Sequence, residues 1–103
     1  MSIHKIYSQL GDSDFMDKTF HDFEKHPIDA RRLSTIYALK ECVFKAIDIS
    51  DRDWLDIKVL FSARGKPRIT LCSNISPLGL ESVDCSVSHE NGYILANVVL
   101  LIQ

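Results

Sequence analysis

Three ionisable residues lie close together within an otherwise apolar stretch of this chain, at Lys40, Glu41 and Lys45. The apolar residues around them recur at the three- and four-residue spacing of a helix face that packs against a core. These residues are Leu33, Ile36, Tyr37, Val43, Phe44 and Ile47. A carboxylate and two amines at the edge of such a face can hold a divalent cation and an anionic ligand together.

The same three residues also have a purely structural interpretation. Glu41 and Lys45 stand four positions apart with the glutamate first, an order that often gives a modest surface salt bridge. At about 100° per residue, Lys40 projects into the apolar face, where an unpaired ammonium is costly. It can avoid that cost by burying its methylene stem and extending its amine to water. The residues alone leave both interpretations open.

A second candidate site is the pair Ser88 and His89, which ends a predicted strand just before a tight turn. A hydroxyl, an imidazole and backbone amides at a strand end can bind an anion such as phosphate. Alternatively, His89 is a turn residue that bonds to its own neighbours. The sequence has no G-x-S-x-G motif, and Gly65-Lys66 lacks the remainder of a phosphate-binding loop.

The charged stretch is predicted to lie on a long helix, because no glycine or proline interrupts residues 28–50. Asp29 can supply the carboxylate at its start. An earlier helix is expected over residues 2–10, from the spacing of Ile3, Ile6, Tyr7 and Leu10. After the break at residues 11–14, a further turn or two should have an apolar side. That side comprises Phe15, Met16, Phe20 and Phe23.

Beyond residue 50 the apolar period changes to that of strands. Residues 55–61 and 68–72 form one predicted hairpin around Gly65, and residues 83–87 and 93–102 form another around Asn91-Gly92. The last strand is apolar on both faces, so we expect it at the centre of a sheet. The sequence therefore predicts a single α+β domain over residues 1–103, with N-terminal helices packed on a C-terminal antiparallel sheet.

Composition narrows the possible functions. A formal net charge of −2 argues against non-specific nucleic-acid binding. The three cysteines, Cys42, Cys72 and Cys85, each lie in an apolar segment and are expected to be buried free thiols of a reducing compartment. The first ten residues are too polar for a signal peptide, and residues 94–102 are too few to span a membrane. We expect a cytoplasmic protein with no membrane or nucleic-acid partner.

Three motifs, taken in order, resemble one family. Residues 37–45, Tyr-Ala-Leu-Lys-Glu-Cys-Val-Phe-Lys, are similar to its aromatic-x-x-Lys-Glu-x-x-x-Lys helix. Gly65-Lys66-Pro67 is similar to its Gly-Lys-Pro hairpin, and Val87-Ser88-His89 to its Ser-His strand end. The family is the 4′-phosphopantetheinyl transferases, of the small holo-acyl-carrier-protein synthase type. The resemblance covers nearly the whole chain.

This resemblance implies an enzyme that transfers 4′-phosphopantetheine from coenzyme A to a serine of an acyl carrier protein, with Mg²⁺. The carrier protein would serve fatty-acid or polyketide synthesis. By position, Glu41 is a metal ligand, Lys45 faces the pyrophosphate, and Lys40 lies near the phosphates or the base step. Ser88, His89 and Lys66 match positions that bind coenzyme A. The family also implies a homotrimer with sites between neighbouring subunits.

Two departures from the family pattern support an alternative. The family begins with a strand carrying Gly-x-Asp, whose aspartate is the second metal ligand, whereas Met1 here falls after that position and Asp12 and Asp14 lie too far along. Ile36 stands where the small type has arginine. The alternative is a non-catalytic homologue that binds coenzyme A, a carrier protein or a partner subunit. An upstream start carrying the missing motif would favour the enzyme.

Overall fold

The computed structural model describes residues 4–49 and 51–103. Its first half is helical, with α1 (His4–Tyr7), α2 (Ser13–Thr19), α3 (Asp22–Lys25) and α4 (Ala30–Ile47). A short 3-10 turn, Trp54–Asp56, leads into β1 (Ile57–Phe61), β2 (Pro67–Leu71), β3 (Leu80–Glu90) and β4 (Tyr93–Ile102). The predicted α+β class and the order of helices before strands are confirmed. None of the helices in these two ranges is long and apolar enough to cross a membrane.

Helix α4 is the central element. Asp29 caps its start, with Oδ1 accepting from the backbone N–H groups of Arg31 at 2.9 Å and Arg32 at 3.4 Å. The helix ends where Asp48 takes a left-handed conformation, with φ of 52°. Its apolar side is fully buried, at Leu33, Ile36, Leu39, Val43 and Phe44. The core is completed by Ile6, Met16 and Phe20 from the preceding helices and by Ile57 and Val59 from β1.

The strands form two separate antiparallel hairpins, β1–β2 and β3–β4, and within the described ranges β4 is hydrogen-bonded to β3 alone. The prediction that β4 is central is therefore wrong. One face of β4 lies against α4, where the Cys42 thiol donates to the carbonyl of Ala96 at 3.5 Å. The other face exposes Tyr93, Leu95, Val99 and Leu101. Apolar residues on both faces of a strand indicate that both faces can pack against other elements. They do not indicate that both edges are hydrogen-bonded to neighbouring strands, which is what a central position requires.

Several smaller predictions also differ from the structure. Phe23 is 42% exposed instead of packing with Phe20. The cysteines are free thiols as expected, but Cys72 is exposed, and only Cys42 and Cys85 are partly buried, which raises the pKa of each of these two thiols. The part of the first-helix prediction that rests on Ile3 lies outside the described residues.

Candidate active site

A cavity of about 380 Å³ opens between the start of α4 and the two hairpins. Arg31, Arg32 and Thr35 line it from the first turns of α4, and His89 lines it from the end of β3. Gly65 and Pro67, from the turn between β1 and β2, border its other side. The cavity therefore combines two guanidinium groups, a hydroxyl and an imidazole with one carboxylate, that of Asp29.

The two arginines are held differently. Arg32 is half-buried, with Nη1 donating to the carbonyl of Glu24 and its guanidinium lying over the ring of Phe61, 5.2 Å from the centroid. Arg31 is exposed and forms no ion pair with any residue in the described ranges. Arg31 is thus the more available donor, because a free guanidinium can bind a phosphate or carboxylate with two parallel hydrogen bonds.

His89 is fixed by a long-range contact and not by its neighbours in the turn. Its Nε2 lies 2.8 Å from Oγ1 of Thr35, and that hydroxyl donates to the carbonyl of Arg31 at 3.0 Å. The hydroxyl hydrogen is thereby used, so Nε2 of His89 must be the donor to Thr35. Burial, followed by the positive charge of Arg31, lowers the pKa of His89 from its usual 6.5. In the free cavity the imidazole of His89 is therefore neutral at pH 7. A bound anion would favour its protonated form.

Sequence reasoning found His89 but missed Arg31, Arg32 and Thr35. A signal was present, since two arginines directly after a helix cap oppose the helix dipole, which favours anions at that end. Such a pair is better explained by a bound anion than by helix stability. The backbone N–H groups at the same helix start add to the attraction for negative charge.

Glu41 and Lys45 lie further along α4 and do not line this cavity. Glu41 is six residues beyond Thr35, about 9 Å along the helix axis. The side chain of Glu41 is 31% exposed and that of Lys45 is 70% exposed, and Lys45 Nζ lies 4.0 Å from Oε1 of Glu41. This contact is at the limit of an ion pair. Both groups are therefore free to bind a ligand that approaches this side of α4.

The structure places the ammonium of Lys40 in the protein core. Lys40 neither reaches water nor meets an open cavity, because its side chain is fully buried and its ammonium is surrounded by acceptors. Nζ donates to Oε1 of Glu24 at 2.8 Å and to the carbonyls of Thr19 at 2.8 Å and Trp54 at 3.0 Å. All three ammonium hydrogens are thus engaged, and none remains for a phosphate. Burial lowers the pKa of Lys40, and the carboxylate of Glu24 opposes that effect.

Ser88 and Lys66 are also not brought to the cavity. Ser88 alternates with His89 along β3, so it lies on the exposed face of the hairpin, opposite Leu95. Lys66 lines a different cavity, between the two hairpins, together with Arg68 and Asp84. Of these three predicted coenzyme A contacts, His89 lines the cavity with Arg31, Arg32 and Thr35, whereas Ser88 and Lys66 do not.

The described side chains offer few ligands for a metal ion. Within the two described ranges, no three His, Cys, Asp or Glu side chains come together as a metal site. Asp12 instead caps α2, accepting from the N–H of Phe15 at 3.1 Å, and Asp14 pairs with Lys18 at 3.1 Å. Glu41 is the one carboxylate of this chain that the sequence predicts as a metal ligand. A single carboxylate suits Mg²⁺ when the phosphates of a bound ligand and water supply the other oxygens.

Comparison with known proteins gives the family. A model of the 4′-phosphopantetheinyl transferase superfamily matches residues 2–98. The chain is 30% identical to the holo-[acyl-carrier-protein] synthase of Campylobacter hominis over an alignment of 109 positions, gaps included. The alignment covers 95% of this chain and 87% of that protein. Its fold is similar to the crystal structure of Helicobacter pylori holo-[acyl-carrier-protein] synthase in complex with coenzyme A. That match has a TM-score of 0.84 and 25% identity and covers 98% of this chain and 95% of the other.

The corresponding enzyme of Neisseria meningitidis has the same fold, with a TM-score of 0.80 and 23% identity over 98% of this chain and 92% of its own. The family match extends over nearly all of the sequence and contains the long helix, the first hairpin, the residues of the cationic cavity and most of the second hairpin. The chain therefore belongs to the 4′-phosphopantetheinyl transferase superfamily.

Proposed function

We propose that this chain transfers 4′-phosphopantetheine from coenzyme A to a serine hydroxyl of an acyl carrier protein. The serine oxygen bonds to the β-phosphate, the pyrophosphate bond breaks, 3′,5′-ADP leaves, and the hydroxyl proton passes to solvent. The observation that carries the proposal is the cavity of Arg31, Arg32, Thr35 and His89, in a chain whose fold is similar to that of a synthase in complex with coenzyme A. A substrate with several phosphates needs a site of this kind, because each phosphate must exchange water for charged or polar donors.

In this proposal the cavity binds phosphates of coenzyme A. Arg31 provides a free guanidinium, while Arg32 is already oriented by Glu24 and Phe61. His89 adds a donor that is held in place by Thr35. The turn at Gly65 and Pro67 closes the side of the cavity. These contacts position the substrate and require no proton transfer from the protein.

Glu41 and Lys45 serve the transfer itself. Lys45 extends from the exposed side of α4, where its ammonium can stabilise negative charge on the pyrophosphate as its bond breaks. Glu41 would hold Mg²⁺ together with phosphate oxygens, and the bound ion would neutralise the same charge. The catalytic role predicted for Lys40 is not retained in this proposal, because its ammonium has no free hydrogen.

We also propose that the chain acts as a homotrimer. The outward face of the β3–β4 hairpin exposes Tyr93, Leu95, Val99 and Leu101, an apolar stripe that a second copy would cover. Ser88 lies on that face beside Leu95. In an assembly, Ser88 would therefore contact the neighbouring subunit's site and not the cavity of its own chain.

Within residues 4–49 and 51–103 no cluster of three metal-ligating side chains accompanies Glu41, and this favours a second candidate, a homologue that binds coenzyme A without transferring it. A transfer assay separates the two. The chain is incubated with coenzyme A, Mg²⁺ and an apo acyl carrier protein, and the carrier is weighed by mass spectrometry. We expect a phosphopantetheine increment. Coenzyme A binding without any increment would support the second candidate and contradict the first.

Arg31→Gln tests the cavity in the same assay. Loss of a charge-assisted hydrogen bond costs about 1.5–3 kcal/mol, so we expect the KM for coenzyme A to rise roughly 10- to 100-fold. Lys18→Gln is the control, because Lys18 is an exposed cation that pairs with Asp14 outside the cavity. Equal KM values for both variants would remove Arg31 from the coenzyme A site.

A further inference from the structure

The most heavily bonded group in the core is the ion pair of Lys40 with Glu24, and both residues are fully buried. Besides the three acceptors of Lys40, the carboxylate of Glu24 accepts two backbone N–H groups. Oε1 accepts from His21 at 2.8 Å and Oε2 accepts from Val59 at 2.9 Å. Every hydrogen of the ammonium and both oxygens of the carboxylate are therefore used.

These contacts join five parts of the chain at one point. Lys40 belongs to α4 and Glu24 to α3, while their partners come from the end of α2, the 3-10 turn and β1. Stability alone does not explain such a pair, since well-packed apolar residues of similar volume commonly stabilise a core as well as or better than a buried ion pair. What an ion pair adds is direction, because each hydrogen bond requires a particular distance and angle.

The pair lies immediately beside the groups assigned to transfer. Successive residues of a helix are separated by about 100° around its axis, so Glu41 projects about 100° from Lys40 on one side and about 100° from Cys42 on the other. Cys42 is bonded to Ala96 on β4, as described above. Helix α4 therefore has one specific contact on the side of Lys40 and another on the side of Cys42, and Glu41 projects between these two sides. Together, the Lys40–Glu24 ion pair and the Cys42–Ala96 hydrogen bond fix the rotation of α4 about its own axis.

We infer that Lys40 and Glu24 form a positioning pair that sets the rotation and height of α4, and with them the direction of Glu41 and Lys45. This inference rests on the proposed function of Glu41 and Lys45. Neither member of the pair touches a reactant. Their effect is on geometry, where a displacement of about 1 Å in a catalytic group can cost about 100-fold in rate.

The test uses the double variant Lys40→Met/Glu24→Gln, which removes both charges together and so leaves no unpaired ion in the core. Lys18→Met is the matched control, because Lys18 precedes Thr19 in the chain but pairs only at the surface, with Asp14. Circular dichroism and thermal unfolding establish that each variant is folded at the assay temperature. Transfer is then measured as kcat, KM for coenzyme A and the Mg²⁺ concentration that gives half the maximal rate. Calorimetry measures coenzyme A affinity without Mg²⁺.

For the folded double variant, we expect kcat to fall at least 10-fold and the Mg²⁺ requirement to rise. Coenzyme A affinity without Mg²⁺ should stay within about twofold of wild type, because Thr35 and His89 hold the cavity from the other side of α4. A purely structural role would leave the folded enzyme with wild-type kcat and Mg²⁺ requirement, and that result would overturn the inference.

If the double variant does not fold, Glu24→Asp carries the test, because it keeps both charges of the buried pair and shortens the carboxylate arm by one methylene. We expect the same selective loss of kcat, and a wild-type kcat would overturn the inference. An inactive wild-type protein would overturn the proposed function and this role with it. An active wild type with fully active variants would overturn this role alone.

Discussion

Removing the buried ammonium should destabilise the fold strongly. Lys40→Met approximately preserves the length and apolar volume of the side chain, but it leaves the carboxylate of Glu24 buried without a counter-charge. It also leaves the carbonyls of Thr19 and Trp54 without their donor. Removing one member of a buried pair costs about 3–5 kcal/mol, a large share of the roughly 5–15 kcal/mol that stabilises a domain of this size. We expect the unfolding midpoint to fall on the order of 20 °C.

A double-mutant cycle separates the cost of the unpaired Glu24 charge from the rest of the unfolding free energy that Lys40→Met loses. Adding Glu24→Gln to Lys40→Met removes the unpaired charge, although glutamine has a single acceptor oxygen for the two backbone N–H groups of His21 and Val59. The double variant should therefore recover about 1–3 kcal/mol relative to Lys40→Met. The exposed control Lys18→Met should change the free energy of unfolding by about 0.5 kcal/mol or less.

Urea denaturation followed by tryptophan fluorescence is a suitable assay. Trp54 is the one tryptophan of the sequence, and its ring stacks on Tyr37 with centroids 4.6 Å apart, beside the carbonyl that binds Lys40. Unfolding will change its environment. A Lys40→Met variant with wild-type stability, or a double variant less stable than the single one, would refute the reasoning that the pair is fully engaged in the core.

Three further predictions concern the cavity, the assembly and the start of α4. Burial and Arg31 lower the pKa of His89 in the free cavity, and a bound phosphate should raise it. Coenzyme A binding should therefore take up a proton and tighten as the pH falls through the raised pKa of the bound state toward the lowered pKa of the free imidazole. Calorimetry in buffers of different ionisation enthalpy measures this uptake, and uptake that persists in His89→Gln would exclude the histidine. Leu95 is 65% exposed, so Leu95→Glu should give a folded monomer by light scattering where the wild type gives a trimer, and a monomeric wild type would contradict the assembly. Asp29→Ala should lower the free energy of unfolding by about 0.5–2 kcal/mol in urea denaturation, and an unchanged value would contradict its role as the cap of α4.

The features that could be predicted from the sequence are those that local chemistry determines. Helix α4 follows from the uninterrupted apolar spacing and from Asp29, whose carboxylate accepts the first N–H groups as expected. The turn between β3 and β4 follows from Asn91 and Gly92, which take positive φ values of 50° and 77°. The burial of Ile57 and Val59 follows from the alternation along β1.

The features that could not be predicted depend on residues far apart in the chain. The partner of Lys40 is Glu24, 16 positions earlier on another helix, and no local spacing indicates that they meet. The partner of His89 is Thr35, 54 positions away, so the anion-binding cavity could be inferred only once α4 and β3 were placed together. Ser88 and His89 are adjacent in the sequence but lie on opposite faces of β3, so one cavity of one chain cannot contain both side chains.

The most direct test of the proposed function is the mass of an acyl carrier protein after incubation with coenzyme A, Mg²⁺ and either the wild-type protein or Glu41→Gln. Glutamine keeps the shape and helix propensity of glutamate, and the partly exposed side chain of Glu41 has only the loose contact with Lys45 to lose. We therefore expect Glu41→Gln to fold as the wild type does. The wild type should add one phosphopantetheine to the carrier and the variant should add none. An unmodified carrier with the wild type, or undiminished modification by Glu41→Gln, would contradict the mechanism proposed for α4.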